Sequence, residues 1–360
     1  MNLQQLGEFG LIEHLRARLT IKAGVLQSIG DDAAVLAGLS TPVVTCDSLI
    51  EGVHFRRDWT SPFLLGRKAM SVNLSDLAAS GAKPVAAFVC LGVSTSLAQE
   101  DGALAWLDAL YDGFQSAADE YDFTLAGGDT VSTASEVMIS ITLIGEIETP
   151  CRAAGAPILR SGARAGDAIC VSGNLGDSAA GLFLLQHPEI RVAPPTRDFL
   201  LERHFNPTPR LREMRAALLS CMPQADRSTP GSGISVTAAL DLSDGLTGDA
   251  AHIAHRSQLQ LEIETGKIPI SAACRETAQA AIQVGFDVSA LNWALSGGED
   301  YELLLCIAPD FLDSATQIVQ SETATRLTPI GICRESATPG VLLLDANGKP
   351  AIALRAWTHF

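Results

Sequence analysis

The chain has 360 residues, with 25 Lys and Arg against 41 Asp and Glu and a formal net charge of −16. That acidity repels phosphodiester backbones and anionic lipid, which excludes nucleic-acid binding and binding to an anionic membrane surface. Hydrophobic residues make up 47% of the chain, enough for a sizeable core and too many for a disordered polymer. The length predicts two domains at roughly 150 residues each.

Met1-Asn2-Leu3-Gln4-Gln5-Leu6-Gly7-Glu8 has neither a basic nor an apolar leader region, so no signal peptide is expected. The longest apolar stretch, near 84–93, is far short of the ~20 residues that span a bilayer. Cys46, Cys90, Cys151, Cys170, Cys221, Cys274, Cys306 and Cys333 are scattered and form no C-x-x-C pair. A zinc site, a redox motif and a disulfide framework are therefore not expected, and a cytoplasmic location is.

In chain order, apolar spacing predicts a helix over 6–19, a turn at Gly30-Asp31-Asp32, and short strands at 33–36 and 42–46, the second ending at Asp47. A helix over 64–79 carries Ser75 and Asp76 on its polar part, and 85–93 reads as a buried strand. A long helix over 100–120 turns Ala103, Leu104, Leu107, Leu110 and Phe114 inward. A strand over 123–126 runs into Gly127-Gly128-Asp129, and another covers 137–147. The Pro-, Gly- and Arg-rich stretch 150–165 reads as a hinge.

Beyond the hinge the pattern predicts a strand at 167–171, a helix at 178–186, a stiff turn at 206–209, a helix at 210–219 and a loop at 222–234. A strand at 236–242, a helix at 245–257 and a strand at 259–263 follow. Residues 293–296 lead into Gly297-Gly298-Glu299-Asp300, then come a strand at 302–307 and a last helix at 310–320. The alternation points to an α/β or α+β fold in two layers, not a strictly parallel dinucleotide-binding sheet. The expected domains are 1–149 and 150–360.

Six segments place acids beside Gly or Ser next to apolar runs: Gly30-Asp31-Asp32, Thr45-Cys46-Asp47-Ser48, Asn73-Leu74-Ser75-Asp76, Gly127-Gly128-Asp129-Thr130, Asp241-Leu242-Ser243-Asp244-Gly245 and Gly297-Gly298-Glu299-Asp300. Any one of them reads as a turn. Six, all expected at strand ends, suggest a ligand site, because such loops carry ligands in α/β scaffolds. Carboxylates without thiolates suit hard cations, Mg²⁺ above all, which can bridge an acidic protein to a triphosphate. No G-x-x-x-x-G-K-[ST] or G-x-G-x-x-G occurs and Lys is scarce, so metal would do what a phosphate-binding lysine often does.

Ile29-Gly30-Asp31-Asp32-Ala33, Asp47-Ser48-Leu49-Ile50-Glu51-Gly52-Val53-His54-Phe55, Val72-Asn73-Leu74-Ser75-Asp76, Ala126-Gly127-Gly128-Asp129-Thr130, Asp241-Leu242-Ser243-Asp244-Gly245 and Ser296-Gly297-Gly298-Glu299-Asp300-Tyr301-Glu302-Leu303 resemble, in order, the thiamine-monophosphate kinase family of the aminoimidazole ribonucleotide synthetase-like superfamily. The resemblance runs from residue 7 to the C-terminus. It implies a two-domain α+β / α/β fold, an N-terminal mixed-sheet domain that dimerises through its sheet, and a C-terminal α/β domain. It implies ATP-dependent phosphorylation of thiamine phosphate to thiamine diphosphate, with ATP as co-substrate and several Mg²⁺ ions, in a homodimer. The expected chemistry is direct in-line transfer without a covalent nucleophile on the enzyme.

The same resemblance implies Asp32, Thr45, Asp47, Asp76, Asp129, Asp241 and Asp244 as magnesium ligands, with Cys46 contributing only its backbone carbonyl. It implies Tyr111, Gly128, Asp129, Arg152 and Ser243 at ATP, and His54, Glu299 and Trp357 at thiamine phosphate. Arg160 competes with Arg152 because the stretch 153–159 is longer than the family spacing. His54 in an apolar setting, Tyr111 on a helix face and Trp357 near the C-terminus each keep a packing role as the alternative. Lys68 is either a phosphate partner or part of a solvated face, and His252 and His255 read as surface residues. Two alternative functions stand beside this one: another ATP-using synthetase of the superfamily, and a non-catalytic nucleotide- or metal-binding protein.

Overall fold

The computed structural model describes residues 14–27, 35–147, 157–221 and 234–351. The expected helix over 6–19 lies mostly outside these residues. Asp31, Asp32, Arg152, Trp357 and nearly all of the 222–234 loop lie outside them as well. The chain folds as two compact units, Met1–Leu77 with Ala82–Ile147, and Ala78–Gly81 with Glu148–Phe360. No helix among the described residues is long and apolar enough to cross a membrane.

In the first unit, β1 (Val25–Gln27) pairs with β2 (Val35–Leu36), and a four-stranded sheet runs in the order β3 (Pro42–Ile50), β6 (Met138–Ile147), β4 (Ala82–Ser94), β5 (Thr124–Thr133). Only β4 and β5 are parallel; β6 is antiparallel to both its neighbours. Two long helices, α1 (Pro62–Ala79) and α3 (Ala103–Tyr121), cover the sheet, and a short α2 (Thr95–Gln99) joins β4 to α3. Phe114, Leu107, Leu110, Leu74, Leu77, Met70 and Ile139 are fully buried between these layers. Along β6 buried and half-buried residues alternate strictly, as expected of a sheet packed on one face only.

Two strands run further than the sequence pattern suggests. β3 does not end at Asp47 but continues to Ile50, paired residue by residue with β6. β5 does not stop at Ala126 but carries Gly127, Gly128 and Asp129 through to Thr133, with Ala126 bulged out where Ala87 pairs with Leu125 and Phe88 with Gly127. In both cases Asp, Gly, Ser or Thr interrupts the apolar run, so the sequence signal fades while backbone pairing goes on.

The second unit is built on a six-stranded sheet in the order β12 (Gly340–Leu344), β9 (Leu259–Glu264), β11 (Leu327–Glu335), β7 (Ala168–Ser172), β10 (Glu302–Ile307), β8 (Val236–Leu242). All neighbours are antiparallel except β12 with β9. β7, β8 and β10 are buried at every position, matching their apolar sequences. Helix α7 (Leu246–Ser257) packs on β8, β9 and β12, while α10 (Leu312–Thr323) packs on β11 and on α6 (Leu211–Leu219). A second cluster joins α4 (Asp177–Gln186), α5 (Pro194–Phe205) and α8 (Ala272–Gln283) through Ala180, Leu184, Leu200, Cys274 and Ala281. Helices α5 and α8 have no counterpart in the sequence expectation. The first opens on Pro194-Pro195 and the second is Ala- and Gln-rich, so neither shows a strong apolar stripe. The short α9 (Ala290–Ser296) delivers the chain to 297–301.

Candidate active site

Of the six acidic segments, Gly30-Asp31-Asp32 lies outside the described residues, and only 241–245 forms a turn at a strand's end. Asp47 and Asp129 lie inside strands, Asp76 lies in α1, and Glu299 and Asp300 precede a strand. Asp47, Asp76 and Asp129 are set on regular elements, which hold side chains more firmly than turns do.

On β3, Thr45 and Asp47 share the face toward α1, because side chains two apart point the same way. Thr45 Oγ1 donates a hydrogen bond to Asp76 Oδ2, and the Asp47 backbone N–H donates to Asn73 Oδ1 at 3.1 Å. Asn73 is buried, and its Nδ2 donates to Ala69 O at 3.1 Å. It therefore locks the helix to the strand. Burial and the neighbouring Asp76 charge push the Asp47 carboxyl up to about 6. Cys46 faces the other way, exposed, with Thr142 Oγ1 donating to its Sγ at 3.5 Å.

Asp129 is exposed on β5, just after Gly128. Gly128 has φ of +149°, and a Cβ there would meet Val89 O at 1.9 Å, so only glycine fits. Tyr111 is a buried residue of α3, its ring edge-on to Phe114, with a side-chain hydrogen bond to Thr130. Burial pushes its phenol up to about 12. Thr130 is the residue after Asp129. Lys68 is buried at 2% exposure, not on a solvated face. Past β3 the chain turns at Gly52, where the His54 N–H donates to Ile50 O at 2.9 Å. His54 Nδ1 accepts from Ile50 N–H at 3.1 Å, which places the neutral ring's proton on Nε2.

In the second unit three backbone segments meet. Asp241 is buried in β8, and the turn after it, Ser243 to Gly245, starts α7. Asp249, in the first turn of that helix, accepts from the backbone N–H groups of Asp244 and Gly245 at 3.0 and 3.1 Å. Burial and the Asp244 charge push its carboxyl up to about 7, against those two hydrogen bonds. Glu299 N–H donates to Ser243 O at 2.7 Å, and Tyr301 N–H to Leu242 O at 2.9 Å. A Cβ on Gly298 would lie 2.6 Å from Ser243 O, so the contact requires glycine. Glu299 Oε2 lies 3.5 Å from His204 Nδ1, which is 2.9 Å from Ser178 Oγ.

Sequence reasoning named Asn73, Asp177, Asp300 and Glu302 within the matching segments without a role and missed Arg203, His204, Arg210 and Asp249. Asp300 is buried and accepts from Gly176 N–H at 2.7 Å and Ser178 N–H at 3.2 Å. Glu302 is fully buried and accepts from Arg203, Arg210 and Ser172. The one local signal was Asp249, an acid in the first turn of a helix. Exposed His252 and His255 are surface residues, and Arg160 is exposed. Among the described residues no three His, Cys, Asp or Glu side chains gather as a metal-binding group; Asp47 and Asp76 gather as a pair.

Two of these acids give a pH dependence. Burial pushes Asp177 up to about 6, opposed by Ser271 and Arg203, and pushes Asp300 up to about 8. A carboxyl raised above its unfolded value contributes stability that is complete below about pH 4 and is lost as pH rises through the folded value. The melting temperature of the wild type is therefore expected to fall between about pH 5 and about pH 8. Asp177→Asn keeps an acceptor for Ser271 Oγ and should flatten the part of the fall below about pH 7. Parallel curves for the two proteins in calorimetric melts would assign the fall to other groups.

The family model for AIR synthase related protein, N-terminal domain, matches residues 30–147. Thiamine-monophosphate kinase of Aquifex aeolicus (strain VF5) is 36% identical over 365 residues, covering 100% of each chain. The crystal structure of thiamine-monophosphate kinase from Stenotrophomonas maltophilia K279a superposes with a TM-score of 0.76 at 34% identity, over 98% of this chain and 99% of that one. AaThiL complexed with AMPPCP and TMP superposes with a TM-score of 0.71 at 31% identity, over 100% and 99%. Relatives of this identity, matched from end to end and in both units, leave one conclusion: the chain belongs to the thiamine-monophosphate kinase family.

Proposed function

We propose that the protein transfers the γ-phosphoryl group of ATP to thiamine monophosphate, giving thiamine diphosphate and ADP. The carrying observation is the full-length match to kinases of this substrate, one of them solved with TMP and the ATP analogue AMPPCP. A phosphate oxygen of thiamine monophosphate attacks the γ-phosphorus in line, a new P–O bond forms, and the bond to the β,γ-bridging oxygen breaks with its electrons leaving on ADP. The nucleophile is already an anion near neutral pH, so the protein supplies no strong base.

The Asp47–Asp76 pair supports a role for magnesium. Two carboxylates and a hydroxyl are packed together so that one acid raises the other, and such an all-oxygen set suits a hard cation. Asp47, Asp76, Thr45, the Cys46 carbonyl and Asp129 of the first unit are the proposed ligands, with Asp241 and Asp244 of the second and Asp32 outside the described residues. When bound, Mg²⁺ would offset phosphate charge. Asn73 fixes the strand that carries Asp47. Gly128 and Ser243 are proposed at ATP, with Tyr111 steadying Thr130 behind Asp129. His54 offers Nε2–H to the phosphate of thiamine monophosphate, and Glu299 offers a carboxylate to its cationic ring. Arg152 and Trp357 complete the proposed set.

The protein is further proposed as a cytoplasmic homodimer of thiamine diphosphate biosynthesis. Exposed Val44, Cys46, Ser48 and Ile50 of β3 lie beside Ile144, Thr142, Ser140 and Met138 of β6. That stretch is apolar and hydroxylic, with Glu146 at its end beside Pro42 and Lys83, and suits a second copy of the chain. Purified protein is expected to elute at the mass of two chains and to convert ATP and thiamine monophosphate to ADP and thiamine diphosphate only with Mg²⁺. Binding without turnover would favour a non-catalytic binder, and turnover in EDTA would overturn the metal part of the reading.

A further inference from the structure

The bend at 298–301 is held in a conformation its sequence does not favour. Glu299 and Tyr301 both have positive φ, 66° and 50°, a region that side chains other than Gly, Asn and Asp enter at a cost. Between them Asp300 turns inward and is 4% exposed. Its carboxyl is held by backbone hydrogen bonds: Gly176 N–H donates to Oδ2 and Ser178 N–H to Oδ1, at the start of α4. Two N–H donors converging on the two oxygens of one carboxyl group, at the start of a ten-residue helix, are a directional anchor.

The bend is fastened on its other sides as well. Its backbone is bonded to Ser243 and Leu242 at the end of β8, and Arg203 Nη2 lies 3.5 Å from Asp300 O. The Ser178 whose N–H holds Asp300 also places its hydroxyl 2.9 Å from His204, which faces Glu299. Asp300 therefore stands where the Glu299 backbone, the α4 start and the residues flanking the Glu299 carboxylate come together.

We propose that Asp300 is a positioning residue for substrate recognition: its buried carboxyl group, clamped by Gly176 and Ser178, forces the bend that presents Glu299 to the cationic ring of thiamine monophosphate. This rests on the assignment of Glu299 to the substrate in the proposed function. Asp300 does not touch the substrate. An Asn in its place keeps one acceptor but turns an N–H₂ group toward an N–H donor, so the clamp opens while the side chain still fits.

The test is a double-mutant cycle of Asp300→Asn and Glu299→Gln in steady-state kinetics, with melting temperatures recorded alongside. Each single variant is expected to raise KM for thiamine monophosphate about tenfold, the scale of one charge-assisted contact, with KM for ATP within about twofold. The double variant should be no worse than Glu299→Gln by more than about twofold, since both changes remove one interaction. A general loss of structure would instead raise both KM values and add to the Glu299→Gln effect. Additive losses, or an unchanged KM in Asp300→Asn, overturn the proposal.

The link is also readable in the unmutated enzyme. Thiamine monophosphate should slow amide hydrogen exchange at Gly176 and Ser178, and unchanged exchange there would overturn the proposal even where the Asn variant does not fold. A wild type that binds ATP but never phosphorylates thiamine monophosphate defeats the proposed function itself. Additivity in a wild type that does phosphorylate it defeats only this inference.

Discussion

Asp47→Asn is expected to cut turnover by a factor on the order of 10²–10³, the scale of losing one preorganised electrostatic partner, while leaving the melting temperature unchanged or higher. The two halves of that result have one cause. Asp47 is largely buried, beside Asp76, and both burial and that neighbour disfavour its charge. An Asn of the same shape removes the repulsion, and the hydrogen bond to Asn73 is unaffected because the Asp47 backbone N–H makes it. Stability is therefore not what this carboxylate is placed for. Groups held at a local cost where function needs them are the usual signature of a site. Asp129→Asn serves as the comparison: Asp129 is exposed, so its loss should lower turnover with no gain in melting temperature. Wild-type-like kinetics in Asp47→Asn would sink the assignment. A large fall in melting temperature would make Asp47 a structural residue instead.

What the sequence made readable and what it hid follow from the range of the interactions involved. Asp47, Asp76, Asp129 and Glu299 sit in short segments whose Gly and Ser neighbours mark them, so they could be named. Their setting could not. Asp47 reads as the end of a strand because Ser48 follows, yet β3 continues to Ile50 since β6 offers a partner at every residue. The Asn73 bond to Asp47 links residues 26 apart, the Asp300 bond to Gly176 residues 124 apart, and the Ser172 bond to Glu302 residues 130 apart. No periodicity carries such pairings. The helices α5 and α8 were hidden for the opposite reason, their local composition being too polar or too small-chained to signal burial that only tertiary packing creates.

The largest loss of stability is expected from Glu302→Gln, about 3–5 kcal/mol, as for breaking a buried ion pair from one side. Glu302 lies at the first residue of β10 with no exposed surface. Its carboxylate accepts from Arg203 Nη2 at 2.7 Å, from Arg210 Nε and Nη2 at 2.7 and 2.5 Å, and from Ser172 Oγ at 2.5 Å. The two arginine side chains are only 15% and 11% exposed. Glu213 also accepts from Arg210 Nη1, at 2.9 Å. An amide in place of the carboxylate removes one negative charge and one full acceptor from between two guanidinium groups that have little access to water. Arg210 keeps Glu213, but Arg203 loses the carboxylate it hydrogen-bonds and keeps the long contact to Asp300 O and the weaker attraction of the Asp177 and Asp300 carboxyl groups. For a unit of this size the melting temperature should fall by roughly 10 °C. Adding Arg203→Met to Glu302→Gln should restore part of that fall, because the stranded charge leaves with its partner. If the single variant melts within about 2 °C of the wild type, the arginines are solvated and the buried network does not hold β7, β10 and α5 together.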